Sequence, residues 1–113
     1  MKIRGIIWYN SRFENALEQL NQIIKSYEYY KCNHINLRAS KFGTYVEFEN
    51  GDIWQIRRAT ENSRGCRCNI AYVERSIDYK IYREIIEPCS VKWPFSAFHL
   101  WGEGNLHITD DVK

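Results

Sequence analysis

The sequence predicts an α+β fold: one domain, with a mixed, mostly antiparallel β-sheet and two α-helices packed on it. Three observations carry this. One segment has apolar residues at helical spacing, from Phe13 through Ala16, Leu17, Leu20, Ile23 and Ile24 to Tyr27. Two alternating segments flank Asn50-Gly51, a strong hairpin signal. A short apolar run, Asn69 to Val73, reads as a buried central strand. The chain has 113 residues, enough for one domain and too few for two. The ligand-binding core is expected over residues 1–88, with 89–113 as a tail or edge segment of the same domain.

The elements follow in order. Lys2 to Tyr9 reads as a strand. Ser11-Arg12-Phe13-Glu14 has the form of a capping box, with Ser at the N-cap and Glu three residues on. The helix it starts should end near Tyr30-Lys31. Ile35, Leu37 and Ala39 alternate with polar residues, as a half-buried strand does. Thr44 to Glu49 puts Val46 and Phe48 on one face, a type I′ turn at Asn50-Gly51 reverses the chain, and Asp52 to Ala59 returns. Thr60 to Arg67 is polar and holds Gly65, so it is a loop. A second helix is expected from Asp78 to Glu87, with Ile77, Ile81 and Ile85 on one face and Pro88 stopping it. The remainder, with Trp93-Pro94-Phe95 and Phe98 to Trp101, supplies an edge strand or wraps a neighbour.

Composition narrows the function. With 16 Lys+Arg against 14 Asp+Glu, the net charge is +2, too balanced for a generic nucleic-acid coat or an acidic-lipid binder. No apolar run is long enough for a transmembrane span or a signal peptide, so a cytoplasmic location is expected. Four Trp, eight Tyr and five Phe make up 15% of the chain, more than one small core can hold, so some rings should line a pocket or an interface.

Arginine placement is the main functional signal. Arg57, Arg58, Arg64, Arg67 and Arg75 fall in one window, and no lysine occurs between Lys41 and Lys80. A planar guanidinium grips phosphate or carboxylate with two bonds and stacks on rings, which lysine does not. If the strands ending at Arg58 and before Arg75 are neighbours, these side chains reach one rim of the sheet, where open α/β sheets bind ligands. Trp54 and Tyr82 lie close in sequence as candidate stacking rings, although core or interface packing is the favoured reading for any one ring.

Catalytic and metal signals are thin. The three histidines form no catalytic motif, and the glycines form no phosphate loop, so no catalytic residue and no cofactor is expected. Cys32, His34, Cys66 and Cys68 could supply four zinc ligands, but their spacing is tighter than structural zinc sites use, and reduced structural thiols are the favoured reading. Cys89 has no partner in the pattern. Asp110-Asp111 read as solvated acids on a tail.

Two resemblances rest on these residues. Ser63-Arg64-Gly65-Cys66-Arg67, followed by the apolar strand that ends at Glu74, is similar to the Walker B region of phage terminase large subunits. Val73-Glu74-Arg75 replaces the family's Asp-Glu pair and the Walker A half is missing, which implies a non-hydrolysing relative. From the amphipathic helix through the Arg-rich segment, Lys2 to Pro88, the chain more closely resembles the first type of phage Thoeris anti-defence protein. That resemblance implies a sponge in the host cytoplasm that sequesters a cyclic ADP-ribose isomer made by TIR enzymes, without cleaving it. It further implies homo-oligomers, such as a dimer or a trimer of dimers, and a ligand pyrophosphate held by some of the five arginines. Cyclic oligonucleotides are a further ligand class. The alternatives are a nucleic-acid-binding accessory protein and a protein inhibitor of a host defence enzyme.

Overall fold

The computed structural model describes residues 2–38, 43–60, 63, 65–91 and 95–108. A six-stranded mixed sheet runs through it, in the order β2-β3-β4-β1-β5-β6. The strands are β1 (Arg4–Tyr9), β2 (His34–Arg38), β3 (Thr44–Phe48), β4 (Ile53–Arg58), β5 (Ile70–Glu74) and β6 (Ala97–Trp101). The α+β class holds. The antiparallel expectation holds for the β2-β3-β4 meander. It does not hold beyond it, since β4-β1, β1-β5 and β5-β6 all pair parallel. The long connections α1 and Tyr79–Cys89 make those parallel neighbours possible, because a tight hairpin cannot.

Helix α1 (Phe13–Tyr29) covers one sheet face with Ala16, Leu20, Ile23 and Ile24. They meet Ile7, Tyr9, Val46, Phe48, Trp54 and Ile56, which alternation points to that side. The Trp54 ring lies flat over Gly5, where a Cβ would meet ring carbons at 2.3 Å. Glycine at this point of β1 lets the indole span three strands and meet Tyr72 edge-on, centroids 5.4 Å apart. Near the end of α1, the Tyr27 hydroxyl donates to Asp52 at 2.6 Å and accepts from the Trp54 indole at 3.0 Å. Asp52 also accepts the Ile3 N–H at 2.8 Å, so one buried carboxylate ties helix, turn and first strand.

Among the described residues, the other face is covered over β1, β5 and β6. There the second helical segment opens as α2 (Tyr79–Ile81), widens to a π-turn (Tyr82–Ile86) and tightens to a 3₁₀ turn (Glu87–Cys89). The wide turn re-phases the segment. Of the expected stripe, Ile77 and Ile85 are buried and Ile81 is half-buried against the core, and the segment also buries Tyr82, Ile86 and Cys89. Pro88 sits in the 3₁₀ turn, where its missing N–H costs nothing. Cys89 is buried here, although its residue number falls in the segment expected as a tail. The end of the chain contributes β6, parallel to β5 and at the sheet edge.

Three local expectations change. The hairpin turn has positive φ at Gly51 (+94°) but not at Asn50, so it is not type I′. Gly51 N–H donates to Phe48 O and Phe48 N–H to Asp52 O, each at 2.9 Å, the pattern of a turn with a glycine bulge. Strand β2 is exposed along its whole length rather than half-buried, because α1 does not reach that edge; Ile35 and Leu37 are 58% and 49% exposed. The N-cap of α1 is Arg12, without a side-chain cap bond, and Ser11 bonds elsewhere. Ala39, Arg64, Trp93, Pro94, Asp110 and Asp111 lie outside the described residues. Among the described residues, no helix is long and apolar enough to cross a membrane.

Candidate anion-binding site

Strands β4 and β5 flank β1 and run parallel to it, so all three end at one rim. Arg58 pairs with Tyr9 there, and Arg75 follows Glu74. The expectation that the two arginine-bearing strand ends share a rim is met by the backbone. Along that rim the side chains divide.

A cleft of about 470 Å³ lies where β4 ends, β3 begins and β2 ends. Arg38, Arg57 and Arg58 line it, with Tyr9, Phe13 and Tyr45 as walls and Gln55, Thr60 and Ser63 as polar groups. Sheet register builds part of this lining: Arg38 pairs with Tyr45, and Tyr45 with Gln55, as a row across three strands on the face the second helical segment leaves open. Arg57, two residues beyond Gln55 and on the same side, donates its Nε–H to the Gln55 amide oxygen at 3.3 Å. Arg58 is held in place. Its Nη1 donates to the Asn10 carbonyl at 3.0 Å, and its guanidinium lies 5.0 Å from the Tyr9 ring centre. The Ser63 hydroxyl donates to the Arg58 carbonyl at 2.6 Å and fixes the loop that closes this end. None of the three guanidinium groups forms an ion pair with a described carboxylate. The described ion pairs, Arg12–Glu14 and Arg83–Glu87, lie on helix surfaces.

The other predicted residues fall elsewhere. Arg67 lines a small cavity against Pro88 and Cys89. Arg75 lines a third, beside Tyr79 and His107, with Nη1 donating to the Gly102 carbonyl at 2.8 Å. Trp54 and Tyr82 are each 3% exposed and sit in the two cores, one on each face. Neither ring is presented to a ligand, and the core-packing alternative is the one the structure adopts. Arg64 lies outside the described residues. Cys32 and His34 stand at the β2 edge, whereas Cys66 and Cys68 precede β5, with β3, β4 and β1 between them, so the four do not meet. Arg38 and Tyr45 are not evident from the sequence, because only the β2-β3 register brings them to Arg57. The alternation through Thr44 to Phe48 did carry a signal for Tyr45, since it sits out of phase with buried Val46.

One strand over, the rim is closed. Glu74 ends β5 with its carboxylate at the start of α1. Its Oε1 accepts the Asn10 N–H at 2.8 Å and the Ser11 N–H at 2.9 Å, and its Oε2 accepts the Ser11 hydroxyl in a short bond. Burial works to raise the Glu74 pKa, but these donors outweigh it and hold the carboxyl below its ordinary value. The start of a helix attracts anions, and here the chain's own carboxylate fills that place.

No family model, curated protein or solved structure matches the chain.

Proposed function

We propose that the protein binds a small phosphorylated ligand in the Arg38–Arg57–Arg58 cleft and holds it without chemistry. A cyclic ADP-ribose isomer is the ligand that the resemblance of the sequence implies, and on this reading the protein is a sponge for that signal. The observation that carries the reading is a cleft at the end of β4 lined by Arg38, Arg57 and Arg58, unpaired with described carboxylates, and walled by Tyr9, Phe13 and Tyr45. Its volume, about 470 Å³, falls in the range of small-molecule sites. Two phosphates want forked donors, and an adenine wants a flat ring; the cleft offers both kinds of group. A diphosphate held this way needs no resident cofactor.

Isothermal titration with cyclic ADP-ribose isomers tests the reading. Tight binding is expected, with the ligand recovered chemically unchanged after heat release. A cleaved product makes the protein an enzyme, and an absence of heat with every isomer removes the sponge. Steep weakening of polyanion binding between low and moderate salt would instead favour nucleic acid.

A second reading draws on a separate observation. Tyr29 and Tyr30 are 79% and 77% exposed and pack edge to face on each other at 5.1 Å. Exposed tyrosines anchor protein partners well. A host protein that co-purifies and is lost on Tyr29→Ala and Tyr30→Ala would favour an inhibitor of a host defence enzyme.

A further inference from the structure

Three cysteines converge away from the anion cleft, and the proposed binding uses none of them. Cys66-Arg67-Cys68 leads into β5, and Cys89 ends the second helical segment. The two stretches are zipped by an isolated parallel bridge, Cys68 to Ser90. Within it the Cys68 N–H donates to the Cys89 carbonyl at 3.0 Å, and the Val91 N–H donates to the Cys68 carbonyl at 2.7 Å. Beside this zip the Cys89 thiol and the Cys66 N–H meet at one acceptor, the Ser63 carbonyl, at 3.8 and 3.4 Å, and the thiol also donates to the Ile85 carbonyl at 3.0 Å. The shared acceptor sets the Cys89 sulfur beside residue Cys66. Both thiols line one cavity of about 200 Å³, with Arg67 and Glu84 also in its lining.

The two sulfurs differ in access. Cys66 is half-buried and open to the cavity, whereas Cys89 is only 4% exposed. A small disulfide can therefore reach Cys66 first, and Cys89 can reach only what Cys66 already carries. Next to Cys66, Gly65 has φ +87°, and nothing lies within 4 Å of where its Cβ would be. Cys68 is a bystander, 1% exposed and with its thiol pushed up to about 12 by burial.

We propose that Cys66 and Cys89 form a thiol–disulfide exchange pair, oxidised by small disulfides of the glutathione class. The Cys66 thiolate attacks one sulfur of the small disulfide, forming a mixed disulfide and expelling one small thiolate. The Cys89 thiolate then attacks the Cys66 sulfur, closing the Cys66–Cys89 bond and expelling the second. The two protein thiols lose two electrons and two protons, and the small disulfide gains them as two thiols. Burial holds the Cys89 thiol above its ordinary pKa, and the nearby backbone N–H groups of Gly65 and Cys66 offset only part of that. The product staples the loop before β5 to the end of the helical segment.

The test uses the folded chain carrying Cys32→Ser, since Cys32 is the other partly exposed thiol. It is incubated with oxidised glutathione, alkylated, and read by intact mass and peptide mapping. The expected product has lost two hydrogen atoms, retains no glutathione and maps to Cys66–Cys89. Adding Cys89→Ala should leave one glutathione trapped on Cys66. Adding Cys66→Ala should slow all reaction by at least ~10-fold, because only buried thiols remain. A stable glutathione adduct on Cys66 with Cys89 intact, or a cross-link through Cys68, overturns the proposal. So does a folded chain that resists oxidation while the urea-unfolded chain reacts. Mapping the Cys32→Ser chain needs no buried substitution, so it decides the proposal even where a further variant fails to fold. The readout is independent of anion binding, and either reading can fail alone.

Discussion

Two places on one sheet rim deal with negative charge in opposite ways. At the ends of β1 and β5 the start of α1 is filled by Glu74, which takes two backbone N–H groups and the Ser11 hydroxyl. At the end of β4, Arg38, Arg57 and Arg58 line an open cleft with no described carboxylate paired to them. Open sheets commonly bind ligands outside the carboxyl ends of their strands, at the point where strand order reverses. Here that point is internally neutralised, and the free donors stand one strand aside. The difference teaches that a sheet's geometry offers a rim, while side chains decide which part of it remains free for a ligand.

The largest effect should come from removing the internal anion. Glu74→Ala leaves the Asn10 and Ser11 N–H groups without their acceptor in a partly buried site, and should destabilise the fold by about 3 kcal/mol. Urea unfolding measures it; a loss below ~1 kcal/mol would mean that water replaces the carboxylate at little cost. The same clasp predicts acid sensitivity. Because the folded carboxyl is held below its ordinary value, its contribution is fully present above about pH 4.3 and is lost as pH falls through the folded value. Unfolding midpoints of the parent chain and Glu74→Gln should therefore converge as the solution is acidified. A gap that stays constant would assign the stabilisation to shape rather than charge.

Next in size are the open-cleft arginines. Arg57→Ala or Arg38→Ala should each weaken ligand binding by about 2 kcal/mol, the scale of a lost charge-assisted contact, with folding nearly unchanged. Titration calorimetry on both variants decides it, and affinity equal to the parent's in both empties the cleft of its role. Ser11→Ala should cost about 1 kcal/mol of stability, through the bond to Glu74 rather than through a helix cap. Combining it with Glu74→Ala should add little, whereas full additivity would separate the two groups. The smallest effect belongs to Arg75→Ala. Its guanidinium serves a different cavity and the Gly102 carbonyl, so ligand affinity should stay within about twofold, well under 1 kcal/mol. A large loss there would join the two halves of the rim into one site.

Local pattern made several elements legible. The Phe13 to Tyr27 spacing placed α1, the alternation of Val46 and Phe48 oriented β3, and the apolar run to Val73 marked β5. Ser11 misled because a capping box and a bond to a distant acid look identical in sequence. Glu74 lies 63 residues away from Ser11 along the chain, and only the β1-β5 pairing brings it there. Trp54 misled in a related way. Its strand and its neighbourhood to Arg57 were readable, but its flat contact with Gly5 depends on which strand lies beside β4.

Helical and strand periods, the chain reversal at Asn50-Gly51 and the arginine-rich window follow from the amino-acid order alone. Each is a property of residues near one another in the chain, where steric and hydrophobic preferences act directly. Which arginines share a cleft, which acid meets the start of α1 and which thiols line one cavity were decided by the tertiary structure. Those meetings depend on parallel neighbours joined by long crossings, and a one-residue slip in any register would send the side chains to the other face.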